Sequence, residues 1–199
     1  NLSAGTLKNV FAFFCLGSVL YIFISLVSYS SLDPSLSSIS SLSGSIENLG
    51  GPFGAYLSDA LFSVAGIGAY LFLLVLSFVA VKQLFFYQSS DKTHKVIKFT
   101  SALILLSSFS ALCEFYYSGD YFPQSSSGGL VGALIFTNLS NIFGIVGSLI
   151  FIVIFFLASI SLTFSFSWLS VIDALGNGAK YLILEVSAQF NRLFNVKIF

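Results

Sequence analysis

From Val10 to Tyr29, and again from Ala60 to Val81, the chain carries no charged residue. Runs of this length and apolarity settle in lipid, and there a backbone has no water to bond its N–H and C=O groups. Only a helix satisfies them within one segment. The rest of the composition agrees. Hydrophobic residues make up 56% of the chain and charged residues 8%, against about 25% charged in a soluble domain. No water-soluble surface can be built from this sequence, so it reads as an all-α integral membrane domain. Its 199 residues allow four spans with their connections and leave no room for a soluble catalytic domain.

The second run sets the architecture. It is preceded by Gly50-Gly51-Pro52-Phe53-Gly54 and a single acid, Asp59. As one straight helix, Gly51 to Val81 would be roughly 46 Å long, well over the ~30 Å hydrocarbon core. Two pieces are therefore expected. A short helix starts near Pro52 and lies at the outer surface, and a spanning helix follows a weak point at Gly66 and Gly68. The stretch recurs 78 residues later. Gly50 to Val81 lies over Gly128 to Ser159 with 11 identities in 32 positions, among them Gly50/Gly128, Gly51/Gly129, Gly54/Gly132 and Gly66/Gly144. Apolar composition explains shared leucines better than shared glycines, so an internal repeat is expected. The fold class is then four transmembrane helices as a 2+2 repeat, with short outer-surface helices before spans two and four.

Taken in order, residues 1–169 form the four-helix domain, with spans at about 10–29, 66–82, 96–113 and 144–167. The first is held as a retained span, because it is long for a signal peptide and lacks a cleavage pattern. Ser31 to Leu49 reads as a Ser-rich loop with an Asp33-Pro34-Ser35 turn. Lys82 to Lys98 is a polar loop on the other side, and Glu114 to Ser127 a second outer loop. Trp168, the sole tryptophan, is expected as an interface anchor. Residues 170–199 are read as a cytoplasmic amphipathic helix on the membrane and the start of a linker. Ser170-x-x-Asp173 would be its capping box, and apolar residues recur from Val171 to Leu193. With no Met at position 1, the chain is expected to begin inside a longer protein, or to have been processed or trimmed.

Charge gives the orientation. With four spans, Lys8, Lys82, Lys92, Lys95, Lys98, Lys180, Arg192 and Lys197 all fall on one side, whereas Asp33, Glu47, Asp59, Glu114 and Asp120 fall on the other. That is the positive-inside pattern, with both termini cytoplasmic and both glycine-opened units facing outward.

Catalytic chemistry finds little to work with. His94 has no second His or Cys near it in sequence and reads as a solvated loop residue. Cys15 and Cys113 are placed near opposite faces of the membrane, which argues against a disulfide, and read as small buried apolar residues. The glycine pairs lack the Lys-Ser/Thr ending of a phosphate loop. No catalytic residue, cofactor site or metal site is expected. Asp59 is the one suspect acid. It is either a proton, ion or helix-partner group in the membrane, or a residue on the wet face of the interfacial helix. Thr137 occupies its place in the second unit, so the carboxylate is not required twice.

Ser28-Tyr29-Ser30-Ser31-Leu32-Asp33-Pro34-Ser35, Asn48-Leu49-Gly50-Gly51-Pro52-Phe53-Gly54-Ala55, Asp59-Ala60-Leu61-Phe62 and Gly66-Ile67-Gly68-Ala69-Tyr70 together resemble the N-terminal membrane domain of the FtsK/SpoIIIE DNA translocases. Gly128-Gly129-Leu130-Val131-Gly132 and Ser167-Trp168 are similar to its later part. The resemblance covers roughly Leu7 to Trp168 and is most specific over 28–70. It implies a membrane anchor and divisome scaffold in the bacterial inner membrane, serving cell division and chromosome segregation. It also implies division-machinery membrane proteins as partners, besides the lipid bilayer, and self-association as a homo-oligomer. The family's full-length proteins carry an ATP-driven motor that moves double-stranded DNA. No residue here matches the ATP or DNA sites, so no nucleic-acid contact is expected from this stretch.

Two other classes compete on the residues alone. A small two-repeat transporter or channel would place Asp59 in its pathway at mid-depth. A membrane enzyme or a sensor's input domain would need acids, His or metal ligands at membrane depth, where only Asp59 and Glu114 come near. The ten glycines at 50, 51, 54, 66, 68, 128, 129, 132, 144 and 147 are read as turn and close-packing positions. Gly66, Gly68, Gly144 and Gly147 in particular are expected at helix contacts inside the monomer. Leu at Gly66 or Gly144 would overpack such a contact by on the order of 1–3 kcal/mol.

Overall fold

The computed structural model of the chain describes residues 4–35, 46–85, 92–117, 126–165 and 167–194. Among these it is all-helical, with six helices: α1 (Ala4–Val27), α2 (Gly51–Ala65), α3 (Gly68–Phe85), α4 (Lys92–Tyr116), α5 (Gly129–Phe164) and α6 (Trp168–Phe194). Three are long and apolar enough to cross a membrane, over Asn9–Val27, Thr93–Tyr116 and Gly129–Phe164. A fourth crossing results if Gly51–Ala65 and Gly68–Lys82, bent by 107° to each other, form one broken span.

The glycines decide where the helices start and break. Gly51, the first residue of α2, has φ +66°, and Gly66, just past its end, has φ +55° with ψ −133°. Gly129 and Gly144 have φ +63° and +70°. These are backbone states that a side chain disfavours, so each position calls for glycine. At Gly144 the non-helical backbone interrupts α5. Without that interruption its 36 residues would reach roughly 54 Å, too long for the bilayer core. The first half, 129–143, has the length of α2.

Several boundaries differ from expectation. α4 begins at Lys92, so the lysines through Lys98 occupy its opening turns and not a loop. The lysine stems let such a helix run past the apolar core. α6 begins at Trp168, which makes Ser170 its third residue. The Ser170–Asp173 capping box therefore does not form, and Val171 N–H bonds the carbonyl of Ser167 instead (3.3 Å).

Residues 1–163 and 164–199 form two compact units. In the first, α1, α2 and α3 meet around Leu26, Phe62, Ala69 and Leu73, with Val19, Ile22, Tyr29 and Leu61 against them. The Phe62 ring stands edge-on to Tyr29 and Tyr70, at centroid distances of 5.1 and 5.7 Å. α4 and α5 meet through Phe109 on Phe156 and Phe115 on Phe136, and Thr163 donates to Ser101 Oγ at 3.1 Å. Many buried positions are serines. Ser25, Ser108, Ser148 and Ser159 are buried and donate to carbonyls three or four residues back in their own helices. A hydroxyl satisfied in this way is small enough for helices to close on it, which suits packing in lipid. In the second unit α6 is exposed along the described part of its length, with Trp168 at its start. Cys15 is part-exposed, Cys113 is buried, and both are free thiols.

Candidate functional site

Among the described residues, polar side chains bonded to backbone groups of other segments cluster where each glycine-opened helix begins. At the first start, the carboxylate of Asp33 accepts the backbone N–H groups of Glu47 (2.8 Å) and Asn48 (2.9 Å). Asn48 then works in both directions. Its Nδ2 donates to the carbonyl of Ser25 on α1 at 2.9 Å, and its Oδ1 accepts from Gly50 N–H at 2.8 Å. Tyr21 Oη donates to the Gly50 carbonyl (2.7 Å), and Leu49 N–H donates to Ser28 Oγ (2.9 Å). The Asn48 and Tyr21 bonds thus tie the segment before α2 to α1, the Leu49 bond ties it to Ser28 just past the end of α1, and the two Asp33 bonds tie it to the turn that follows. The small residues complete the contact: a Cβ at Gly54 would lie 2.6 Å from Asn48 Oδ1 and 2.7 Å from Ser25 Oγ, and one at Gly50 would also strike Ser25.

The second start uses other residues to similar effect. Glu114, at the end of α4, accepts Gly128 N–H at 3.0 Å. Ser127 Oγ donates to the carbonyls of Cys113 (3.0 Å) and Tyr117 (2.8 Å), closing the end of the same helix. Side chains at Gly128 and Gly132 would run into the carbonyl of Ser110.

Between them lies a junction. Ile67 N–H, freed by the break, donates to the Ser127 carbonyl at 2.9 Å. Ser110 Oγ donates to the Ala65 carbonyl, also at 2.9 Å. Gly66 and Gly129 approach backbone to backbone: a Cβ on Gly66 would lie 2.6 Å from Gly129 N, and one on Gly129 would lie 2.5 Å from Gly66 N. At Gly68 a Cβ would meet Ser110 Oγ at 2.5 Å. The orphaned groups of a broken helix are in this way bonded inside the protein, as a membrane requires.

Gly144 and Gly147 depart from expectation. No heavy atom lies within 4 Å of a Cβ built at Gly144, and at Gly147 it would meet only Phe143 of its own helix. Among the described residues, the packing contact expected there inside the monomer is absent. The positive φ at Gly144 is reason enough for glycine.

Asp59 is fully buried, 0% exposed, which removes the wet-face reading and leaves the alternative of a buried helix-partner group. Tyr29 Oη donates to its Oδ1 at 3.2 Å. The ring that carries that hydroxyl packs on Phe62, one turn along α2 from Asp59. The arrangement fixes the end of α1 to the middle of α2. His94 is exposed in the first turn of α4. Among the described residues no three His, Cys, Asp or Glu side chains come together as metal ligands would.

The sequence reading gave no bonding role to Tyr21, Tyr29 or Asn48, and took Asp33 as a turn residue and Glu114 as an acid near the outer surface. For Asn48 a usable signal was present, since it directly precedes a glycine-opened start whose N–H groups need acceptors; Tyr21, by contrast, lies inside the first apolar run.

A bundle of apolar helices broken at bonded glycines is a membrane-embedded domain. The chain belongs to the family described as the 4TM region of DNA translocase FtsK/SpoIIIE, whose model matches residues 5–176. It is 28% identical over 181 residues to DNA translocase FtsK 1 of Neisseria meningitidis serogroup B, covering 87% of this chain and 22% of the relative. DNA translocase FtsK of Pseudomonas syringae pv. tomato is 28% identical over 161 residues, covering 79% of this chain and 20% of its own length. DNA translocase FtsK of Vibrio vulnificus is also 28% identical, over 162 residues, covering 79% and 16% respectively. The chain thus spans about a fifth of the length of the curated relatives it matches. No solved structure matches it.

Proposed function

We propose that these residues anchor a double-stranded DNA translocase in the bacterial inner membrane at the division septum, and hold it against membrane proteins of the division machinery. The observation that carries this reading is the family match over 5–176, with its apolar helices and broken span. The chemistry of the motor lies outside the matched region, so this stretch needs no catalytic group, cofactor or metal and makes no nucleic-acid contact. Both termini face the cytoplasm, as the one-sided lysines favour, and the C-terminal side leads to the motor through the amphipathic α6, which lies on the inner membrane surface.

Within the anchor we read a 2+2 repeat. Helix lengths and positive-φ glycines recur at the same 78-residue offset, Gly51 with Gly129 and Gly66 with Gly144. α2 and the first half of α5 are the outer-surface helices, and the spans follow their breaks. Self-association of the anchor would match the ring of a translocating motor.

The test is localisation without the motor. Residues 1–199 carrying a cytoplasmic fluorescent tag should gather at the septum of dividing cells, and should support division when they replace the endogenous anchor of a full-length translocase. An even membrane distribution with no rescue would refute the anchor reading.

Buried Asp59 gives the competing transporter a residue to use. Proteoliposomes holding the chain decide it: an anchor passes no proton or cation current with Asp59 or with Asp59→Asn, whereas a transporter shows a flux that Asp59→Asn abolishes.

A further inference from the structure

The junction between the two units is a directional contact. The break of the first, at Gly66–Ile67, docks on the start of the second, at Ser127–Gly129. One copy of the chain leaves two surfaces of the same kind unused. Among the described residues, nothing lies close to a Cβ built at Gly144, at the break of the second unit, or at Gly51, at the start of the first. The side chains around them are exposed: Leu49 and Phe53 at the start, and Ile142, Phe143, Ile145 and Val146 at the break.

We propose that these two surfaces bind each other between copies of this chain. The Gly144 break of one copy docks on the Leu49–Gly51 start of the next, as the Gly66 break docks on the Ser127–Gly129 start within a copy. The 78-residue offset assigns the partners. Ile145 stands where Ile67 stands and donates its N–H to the neighbour's Leu49 carbonyl, the counterpart of Ser127. Gly144 closes on the neighbour's Gly51 as Gly66 closes on Gly129. Ile142 takes the place of Val64, whose backbone lies against Gly129 in the internal junction. One element does not transfer: Gly68, which lets α3 approach Ser110, has Val146 as its counterpart, and the nearest glycine is Gly147. The contact between copies is therefore looser than the internal one and suited to copies held at high local density in a membrane. A contact of this kind is heterologous. It uses two different patches, and it closes into a ring or runs on as a chain of subunits.

The inference rests on the repeat reading above, and its test separates the two. Leu49 and Ile145 are exposed and can be changed to Cys in the full chain, with Cys15→Ser and Cys113→Ala removing the native thiols. Oxidation of native membranes should give the double variant a ladder of covalent multimers. Leu49→Cys alone and Ile145→Cys alone should stay monomeric, and the two co-expressed should stop at dimers. Adding Ile142→Trp should lower the ladder about tenfold by overpacking the contact, with the detergent melting temperature unchanged. A double variant that stays monomeric, a single variant that cross-links as well as the double, or a ladder indifferent to Ile142→Trp would overturn the proposal. Septal localisation that persists in a chain without the ladder leaves the anchor role intact and removes this contact alone.

Discussion

The breaks at Gly66 and Gly144 share a backbone type and differ in what surrounds them. Both have positive φ. Gly66 is pressed against Ser127 and Gly129, and its neighbour's N–H is bonded across the junction, whereas among the described residues nothing lies close to a Cβ built at Gly144. A glycine pattern therefore carries two separate meanings. One is conformational and belongs to the residue itself. The other is steric and depends on what another part of the chain brings up. Sequence repetition preserves the first without fixing the second.

Mutations can split these two meanings. The largest effect is expected for Gly66→Ala, which combines backbone strain with overlap on the Ser127 carbonyl and should cost about 3–5 kcal/mol. Gly144→Ala meets only the strain and should cost about 1–3 kcal/mol. Thermal unfolding of both variants in the same detergent reads the difference, and equal losses would erase the distinction.

The starts of the two units offer the next comparison. Asp33 accepts two backbone N–H groups and Glu114 is bonded to one. Asp33→Ala, which strands both amides, should cost about 2–4 kcal/mol, and Glu114→Ala roughly half of that. Hydrogen exchange at Glu47 and Asn48 should rise in the first variant and stay slow in the second.

A smaller effect is expected at the join of α1 to α2. Tyr29→Phe keeps the ring on Phe62 and removes the hydroxyl from Asp59, for about 1 kcal/mol in steric-trapping measurements. The smallest effect has the opposite sign. Gly17 lies within α1 with nothing near a built Cβ, so Gly17→Ala should stabilise by up to about 1 kcal/mol through helix propensity. A loss there would mean that a partner covers this part of α1.

Much of the fold was legible because lipid leaves the chain few choices. Uncharged runs marked the helices, and a helix too long for the bilayer forced a break that glycines then located at Gly66. Less of the site was legible. For Asp59 the sequence left a wet and a buried reading open, because its burial is settled by Tyr29 arriving from thirty residues away. Gly144 looked packed because the 78-residue offset sets it opposite Gly66, a position expected at a helix contact. The acceptor roles of Asp33 and Glu114 follow from chain connections that local pattern does not encode. The start of α6 was misplaced because a Ser-x-x-Asp motif names a cap only where the helix has not already begun.

The central claim is that both glycine-opened starts lie on the outer face of the membrane and the lysine-rich turn on the inner face. Single cysteines at Leu49, Tyr117 and His94, all exposed, in a chain lacking Cys15 and Cys113, test it in intact cells with a membrane-impermeant maleimide. The account predicts labelling of Leu49→Cys and Tyr117→Cys from outside, and of His94→Cys only after permeabilisation. Labelling of Leu49→Cys and Tyr117→Cys from opposite sides, or of His94→Cys in intact cells, would contradict it.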